Sequence, residues 1–177
     1  QSDLLLAAQS LDNTAGSIGS AQSLTVNAQN IVINNGGTLA SAKDLTLQAQ
    51  ELRNDSQNNH SGRIASNAGS VTLGIAGAMS NRQGQIGTVS DASDAQVSIQ
   101  ARSLDNTQGE ITQNGTGQLR ITVSEVLQNK QAAISSNGSA RIQAGNLGND
   151  SGKISALKQL EIASTQGISN VAGSLQA

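Results

Sequence analysis

The sequence has no cysteine, no proline and no phenylalanine, tyrosine or tryptophan. Without cysteine, and with His60 as the one histidine, it cannot assemble the ligand set of a zinc centre, and no cofactor is expected. Without aromatic rings it has no platform on which bases stack, and its 10 basic residues are scattered, so nucleic acid is not an expected partner. The same lack removes the ring platforms that sugar-processing enzymes usually present. Charge is sparse, at 12% of residues with a net of -2. The longest apolar run, Leu4-Leu5-Leu6-Ala7-Ala8, falls far short of the ~18 residues of a membrane span. Only 36% of the 177 residues are hydrophobic, so a compact sphere would have a poor core, and a composition this polar approaches that of disordered chains.

What the sequence does have is a phrase that returns eight times. It opens on an apolar residue (Leu11, Val32, Leu52, Met79, Leu104, Leu127, Leu147, Ile168). An asparagine follows two places on: Asn13, Asn34, Asn54, Asn81, Asn106, Asn129, Asn149 and Asn170. Glycine normally comes three places later, at Gly16, Gly37, Gly84, Gly109, Gly152 and Gly173; it is delayed to Gly62 in the third copy and replaced by Ala132 in the sixth. Two residues further stands Ile or Leu, as in Ile18, Leu39 and Ile64. Disordered sequence has no reason to keep such spacing.

A second phrase alternates apolar and polar residues, as in Leu24-Thr-Val26-Asn-Ala28 and Val97-Ser-Ile99-Gln-Ala101. Alternation with β-branched residues on the apolar side is a strand signal. Each unit therefore holds three short extended segments: Leu-x-Asn, Ile-x-Ser and the alternating phrase. The openings are 21, 20, 27, 25, 23, 20 and 21 residues apart, a basal period near 20. That is too short for a propeller blade or a helical hairpin, and it suits one coil of a parallel β-helix. Stacked coils hydrogen-bond along the axis and share a continuous core that a single coil cannot bury. With strands ~4.8 Å apart, about eight coils make a rod of roughly 40 Å. The fold expected is all-β, a parallel β-helix (solenoid) of about eight coils with three short strands each.

The asparagines are expected at the bend after the first strand, where Asn tolerates left-handed backbone and identical amides can ladder between coils. The glycines, from Gly16 to Gly173, are read as a second place needing positive φ. Long gaps mark insertions near 55–61, 90–96 and 114–118. Insertions in solenoids project as loops where binding resides, so Asp55, Asn58, His60, Asp91 and Asp94 are the candidate contacts with a receptor or glycan. Catalytic candidates are few. A triad through His60 is only formal, and Asp12 and Asp105, at one repeat position, lie four coils or ~19 Å apart. Asp91 and Asp94 could gather a loose cation, but a solvated loop is the simpler reading, and no metal site or catalytic residue is assigned. A β-helical carbohydrate-active enzyme is the rival class. The first residues match the middle of a repeat unit, Asp3-Leu4-Leu5-Leu6 against Asp44-Leu45-Thr46-Leu47, so residues 1–177 are read as one β-helical segment cut from a longer chain.

The phrases Leu11-Asp-Asn-Thr-Ala-Gly-Ser-Ile18, Leu104-Asp-Asn-Thr-Gln-Gly-Glu-Ile111 and Leu147-Gly-Asn-Asp-Ser-Gly-Lys-Ile154, each followed by an alternating strand, resemble filamentous haemagglutinin repeats. Such repeats build the shafts of large exoproteins exported by two-partner secretion, both haemagglutinin adhesins and contact-dependent growth inhibition effectors. The resemblance implies a right-handed β-helix at the outer surface of a Gram-negative bacterium. It also implies export through an outer-membrane transporter and a non-enzymatic role as a shaft holding an adhesive or toxic part away from the cell. The absence of cysteine suits threading through such a barrel. Far-UV circular dichroism is expected to show a β spectrum; a mostly helical one would contradict the reading of the repeat.

Overall fold

A computed structural model describes residues 2–91 and 94–177. Its regular elements are strands, 21 of them among the described residues, with no helix among them. Each repeated phrase makes its own strand. The alternating phrases give Leu4–Ala8, Leu24–Ala28, Leu45–Ala49, Val71–Ile75 and Val97–Ala101. The Leu-x-Asn phrases give shorter ones, among them Leu11–Asp12, Glu51–Arg53, Ala78–Ser80 and Ser103–Asp105. The Ile-x-Ser phrases give Ser17–Ser20, Thr38–Ser41, Arg63–Ser66 and their counterparts up to Ser174–Gln176. In the last three coils the alternating and Leu-x-Asn strands run together as Gln118–Gln128, Ser139–Gly148 and Gln159–Ser169, with a shift of register beyond Val123 and Ala144.

Every named strand pairs in parallel with the equivalent strand of the neighbouring coil. Leu24 lies beside Leu45, Leu45 beside Val71, Val71 beside Val97 and Val97 beside Leu119. The Ile-x-Ser strands form an 8-stranded sheet, and the other two sets form a 13-stranded sheet joined through the long strands. The chain is a parallel β-solenoid of eight coils.

Register turns sequence spacing into columns. Side chains in a strand alternate between faces, so stacking equivalent phrases stacks equivalent side chains. One interior column reads Leu24, Leu45, Val71, Val97, Leu119; another reads Val26, Leu47, Leu73, Ile99, Ile121, Ile142; a third, Leu39, Ile64, Ile86, Ile111, Ile134, Ile154. All are 0–2% exposed. The bore is narrow enough for aliphatic chains to fill, which is how a chain with so few hydrophobic residues makes a dry core. Leu4, Leu6, Leu11 and Ile18 in the first coil, and Leu160 and Ile162 in the last, have a neighbour on one side only and are partly buried.

The bend differs from the expectation at one point. Neither the repeated asparagines nor the glycines three places on have positive φ. The left-handed residue is the one just before the glycine position: Ala15 (φ 53), Gln83 (φ 55), Gln108 (φ 57), Gln131 (φ 52, before Ala132), Ser151 (φ 55) and Ala172 (φ 55), with Gly36 (φ 62) in the second coil. A backbone bond closes the bend in six of the eight coils, as from Gly16 N to Asn13 O at 3.0 Å and from Gly109 N to Asn106 O at 2.9 Å. Positive φ at the third of four residues is the pattern of a type II turn.

The glycine is needed for closeness rather than for φ. A Cβ on Gly84 would lie 2.0 Å from the carbonyl oxygen of Asn54 in the preceding coil and 2.5 Å from Oδ1 of Asn81. Opposite outcomes follow for neighbouring positions. Gly84→Ala should cost about 1–3 kcal/mol in urea unfolding. Ala15→Gly should add about 0.5–1 kcal/mol, because a left-handed alanine costs more than the extra freedom of glycine.

Candidate functional site

Once the coils are stacked, the repeated asparagines meet. Asn13 Nδ2 donates to Asn34 Oδ1 at 2.7 Å, and the same bond continues through Asn54, Asn81, Asn106, Asn129, Asn149 and Asn170 at 2.7–2.8 Å. Each Nδ2 also reaches the carbonyl oxygen of the glycine position in its own coil, as in Asn34 to Gly37 at 3.1 Å. A third acceptor is a carbonyl in the next coil, as in Asn34 to Arg63 at 3.1 Å. Asn34, Asn54, Asn81, Asn106, Asn129 and Asn149 are 0% exposed, so the row is interior and offers nothing to a partner. In the third coil Asn54 Nδ2 bonds Gly62 O across the insertion, at 3.1 Å, so the ladder passes the insertion unbroken.

The insertion near 55–61 is ordered. Asp55 N donates to Asn35 Oδ1 at 3.1 Å and Ser56 N to Arg82 O at 2.9 Å, so its first residues still stack. Gln57 and His60 then exchange backbone bonds of 2.8 and 2.9 Å around Asn58 (φ 51) and Asn59 (φ 63). Two positive φ values in a two-residue hairpin loop mark a type I′ turn, which favours Asn. The exposed His60 ring has Nδ1 2.9 Å from Asn58 O. Asp55 is the anchor: its Oδ1 accepts from Arg82 N at 2.7 Å and from the Ser80 hydroxyl.

Ala92 and Ser93, within the 90–96 insertion, lie outside the described residues; Asp91 and Asp94 are exposed on either side. Ala95 O accepts from Gln113 Nε2 at 2.9 Å, tying the end of that loop to the stack. At 114–118, Gln118 already belongs to its strand, and Asn114 bonds the Thr88 carbonyl through Nδ2 at 2.8 Å. The candidate loop residues thus fall into two separate groups: Asp55, Asn58 and His60 in one, Asp91 and Asp94 in the other. No group of three or more His, Asp and Glu placed to hold a metal occurs among the described residues.

Beside the hairpin, the outward faces of the third to fifth coils form a trough of about 580 Å³ over Ala78, Ser80 and Ser103. Its walls carry Glu51, Arg53, Asp55, Arg82 and Asp105. The charges are engaged with one another: Arg53 with Glu51 at 2.8 Å, and Arg82 with Asp55 at 3.5 Å and with Asp105 at 3.8 Å. The scattered sequence positions gave no sign of this grouping, although Arg53, Ser80 and Asp105 occupy one repeat position.

The haemagglutinin repeat family matches residues 1–83, 51–92, 84–131 and 115–177, overlapping stretches that together run the length of the chain. The chain belongs to the haemagglutinin repeat family. Neither a curated protein nor a solved structure matches it.

Within these haemagglutinin repeats a second interior polar column went unnoticed in the sequence: Ser41, Ser66, Thr88, Gln113 and Ser136, the last residue of each Ile-x-Ser strand and all buried. Some of its bonds stay within a coil, such as Gly69 N to Ser66 Oγ at 2.9 Å, and others cross between coils, such as Ser136 Oγ to Gln113 Oε1 at 3.0 Å. The polar residue after Ile-x or Leu-x in the first six copies was the available signal.

Two carboxylates, the exposed Asp12 and the half-buried Asp150, are tuned by hydrogen bonds at the bends. The Ser169 hydroxyl, at 2.6 Å, the Val171 N–H, at 3.0 Å, and the charge of Lys130 hold the Asp150 carboxyl below the ordinary aspartate range. Thr14 does the same for Asp12 through its side chain and its backbone N–H. A depressed folded pKa adds stability above the unfolded value, and that stability is lost as pH falls through the folded one. Melting should therefore become more acid-sensitive below about pH 4, and Asp150→Asn should reduce that sensitivity. Asp55→Ala should speed hydrogen exchange at the Gln57 and His60 amides and cost about 1–2 kcal/mol, with the Asn54–Asn81 bond kept.

Proposed function

We propose that this segment is a stretch of the stiff shaft of a large secreted exoprotein at the outer surface of a Gram-negative bacterium. The shaft carries an adhesive or toxin-delivering part towards a host or neighbouring cell. The observation that carries the reading is the unbroken stack: every coil hands its strand, its aliphatic columns and its buried amide to the next, within a family of haemagglutinin repeats. An element built by nearest-neighbour stacking transmits position along its axis, and its length scales with the number of coils. Export through an outer-membrane two-partner-secretion transporter goes with this reading, since each coil completes its contacts as soon as the one before it is in place.

The rival reading, a carbohydrate-active enzyme, would use the carboxylates of the trough. A general acid needs a carboxyl kept protonated by burial or by a like charge. Glu51, Asp55 and Asp105 are instead each engaged in an ion pair with a guanidinium. That arrangement supports a structural role.

Removing the coil from Leu104 to Val126 should shorten the longest dimension in small-angle scattering by ~4.8 Å while the β signature persists. Removing 56–61 and 90–96 from the full-length protein should leave cell or glycan binding unchanged. Binding lost with the loops would assign recognition to them and overturn the shaft-only reading.

A further inference from the structure

Like charges directly opposite in a β-ladder are destabilising, yet the register sets Arg120 beside Arg141 in adjacent coils. The next residue in that outward column is Glu161, whose Oε1 is 3.3 Å from Arg141 Nη2. Arg120 meets only a neutral partner, Gln118 Oε1, at 3.0 Å from its Nη2. Arg141 Nε is buried without a hydrogen-bond partner. Lys158 reaches back across the neighbouring coil to the Thr116 carbonyl, at 3.4 Å, bringing a third cation to the edge beside Gln118. Arg53, Arg82 and Arg102 each lie within ion-pair distance of a carboxylate, whereas Arg120 faces Arg141 in the ladder and its guanidinium meets an uncharged amide.

We propose that the Arg120–Arg141 pair, with Lys158 at its edge, binds a tetrahedral oxyanion: sulfate or phosphate, free or as an ester group on a larger molecule. Two guanidiniums on strands ~4.8 Å apart present donor forks to one face, and such forks match the oxygens of sulfate and phosphate. An anion between them removes the repulsion. Both arginines stand on the long strands Gln118–Gln128 and Ser139–Gly148, so their backbones are fixed before a ligand arrives. With a net charge of -2 the chain as a whole does not attract anions, and the attraction is local to this pair. The site is independent of the shaft reading.

Titrating the 177-residue chain at low ionic strength with inorganic sulfate, inorganic phosphate and dextran sulfate, and following the arginine Nε–H signals by NMR, tests the site. Shifts are expected at Arg120 and Arg141, and the double change Arg120→Gln, Arg141→Gln should weaken binding about tenfold or more. Arg102→Gln should bind as the unchanged chain does. Arg120→Gln alone should melt no lower than the parent protein, which shows that lost binding is not lost folding. A response to the small anions alone assigns a free-ion site, and a much stronger response to dextran sulfate assigns a polymer-borne ester. Unmoved Arg120 and Arg141 signals with all three probes, or an equal loss in Arg102→Gln, would overturn the proposal.

Discussion

A buried asparagine amide has two N–H groups and a carbonyl to satisfy, and leaving one unmade costs about 1–3 kcal/mol. In this rod the partner that completes each amide is the same amide one coil away. The bonds from Asn13 to Asn170 all run in one direction, each Nδ2 giving to the next Oδ1. A coil displaced by one residue would break the bond on both sides and turn its aliphatic residues outward. The ladder and the leucine and isoleucine columns therefore specify the same register by independent physics. The glycine beside most of the amides follows from this constraint, since from the second coil on a side chain there would crowd the asparagine carbonyl of the preceding coil; Ala132 takes the place in the sixth.

With register settled inside, the outside is free to vary. Seven residues stand between Asn54 and Gly62 in the third coil, where the regular repeat has two, and the ladder continues past them. The hairpin of Gln57 and His60, the charged trough and the arginine pair are all outward features on an interior that barely changes from coil to coil. A shaft needs that separation of roles: stiffness resides in the columns, and recognition can be added or lost on the surface without threatening the fold.

Much of the architecture was legible in the residues, because a repeat of about 20 with three short apolar phrases has few ways to bury itself. The recurrence of the eight asparagines and the aliphatic positions of the strands could be read from spacing. The backbone at the bend could not. Left-handed geometry was expected at Asn or Gly, yet it falls on Ala15, Gln83, Gln108 and Ser151, residues with no intrinsic liking for it, because the asparagine is held in the ladder and the glycine is held by closeness. Surface groupings were also hidden. Arg120 and Arg141 are far apart in sequence and meet only through pairing, although Leu119-Arg-Ile121 and Ala140-Arg-Ile142 carry the arginine at one repeat position. The hairpin inside the projecting insertion was hidden too, because Asp55, its anchor, bonds to Ser80 and Arg82 in the next coil.

The most direct measurement is the exchange of the asparagine side-chain amide protons, resolved by NMR. If the amides of Asn34, Asn54, Asn81, Asn106, Asn129 and Asn149 bond from coil to coil in a dry interior, their Nδ2 protons will exchange slowly, alongside the core backbone amides. The exposed amides of Asn58 and Asn59 will exchange fast. Exchange of all of them at the rate of exposed amides would show that the ladder does not hold the rod together.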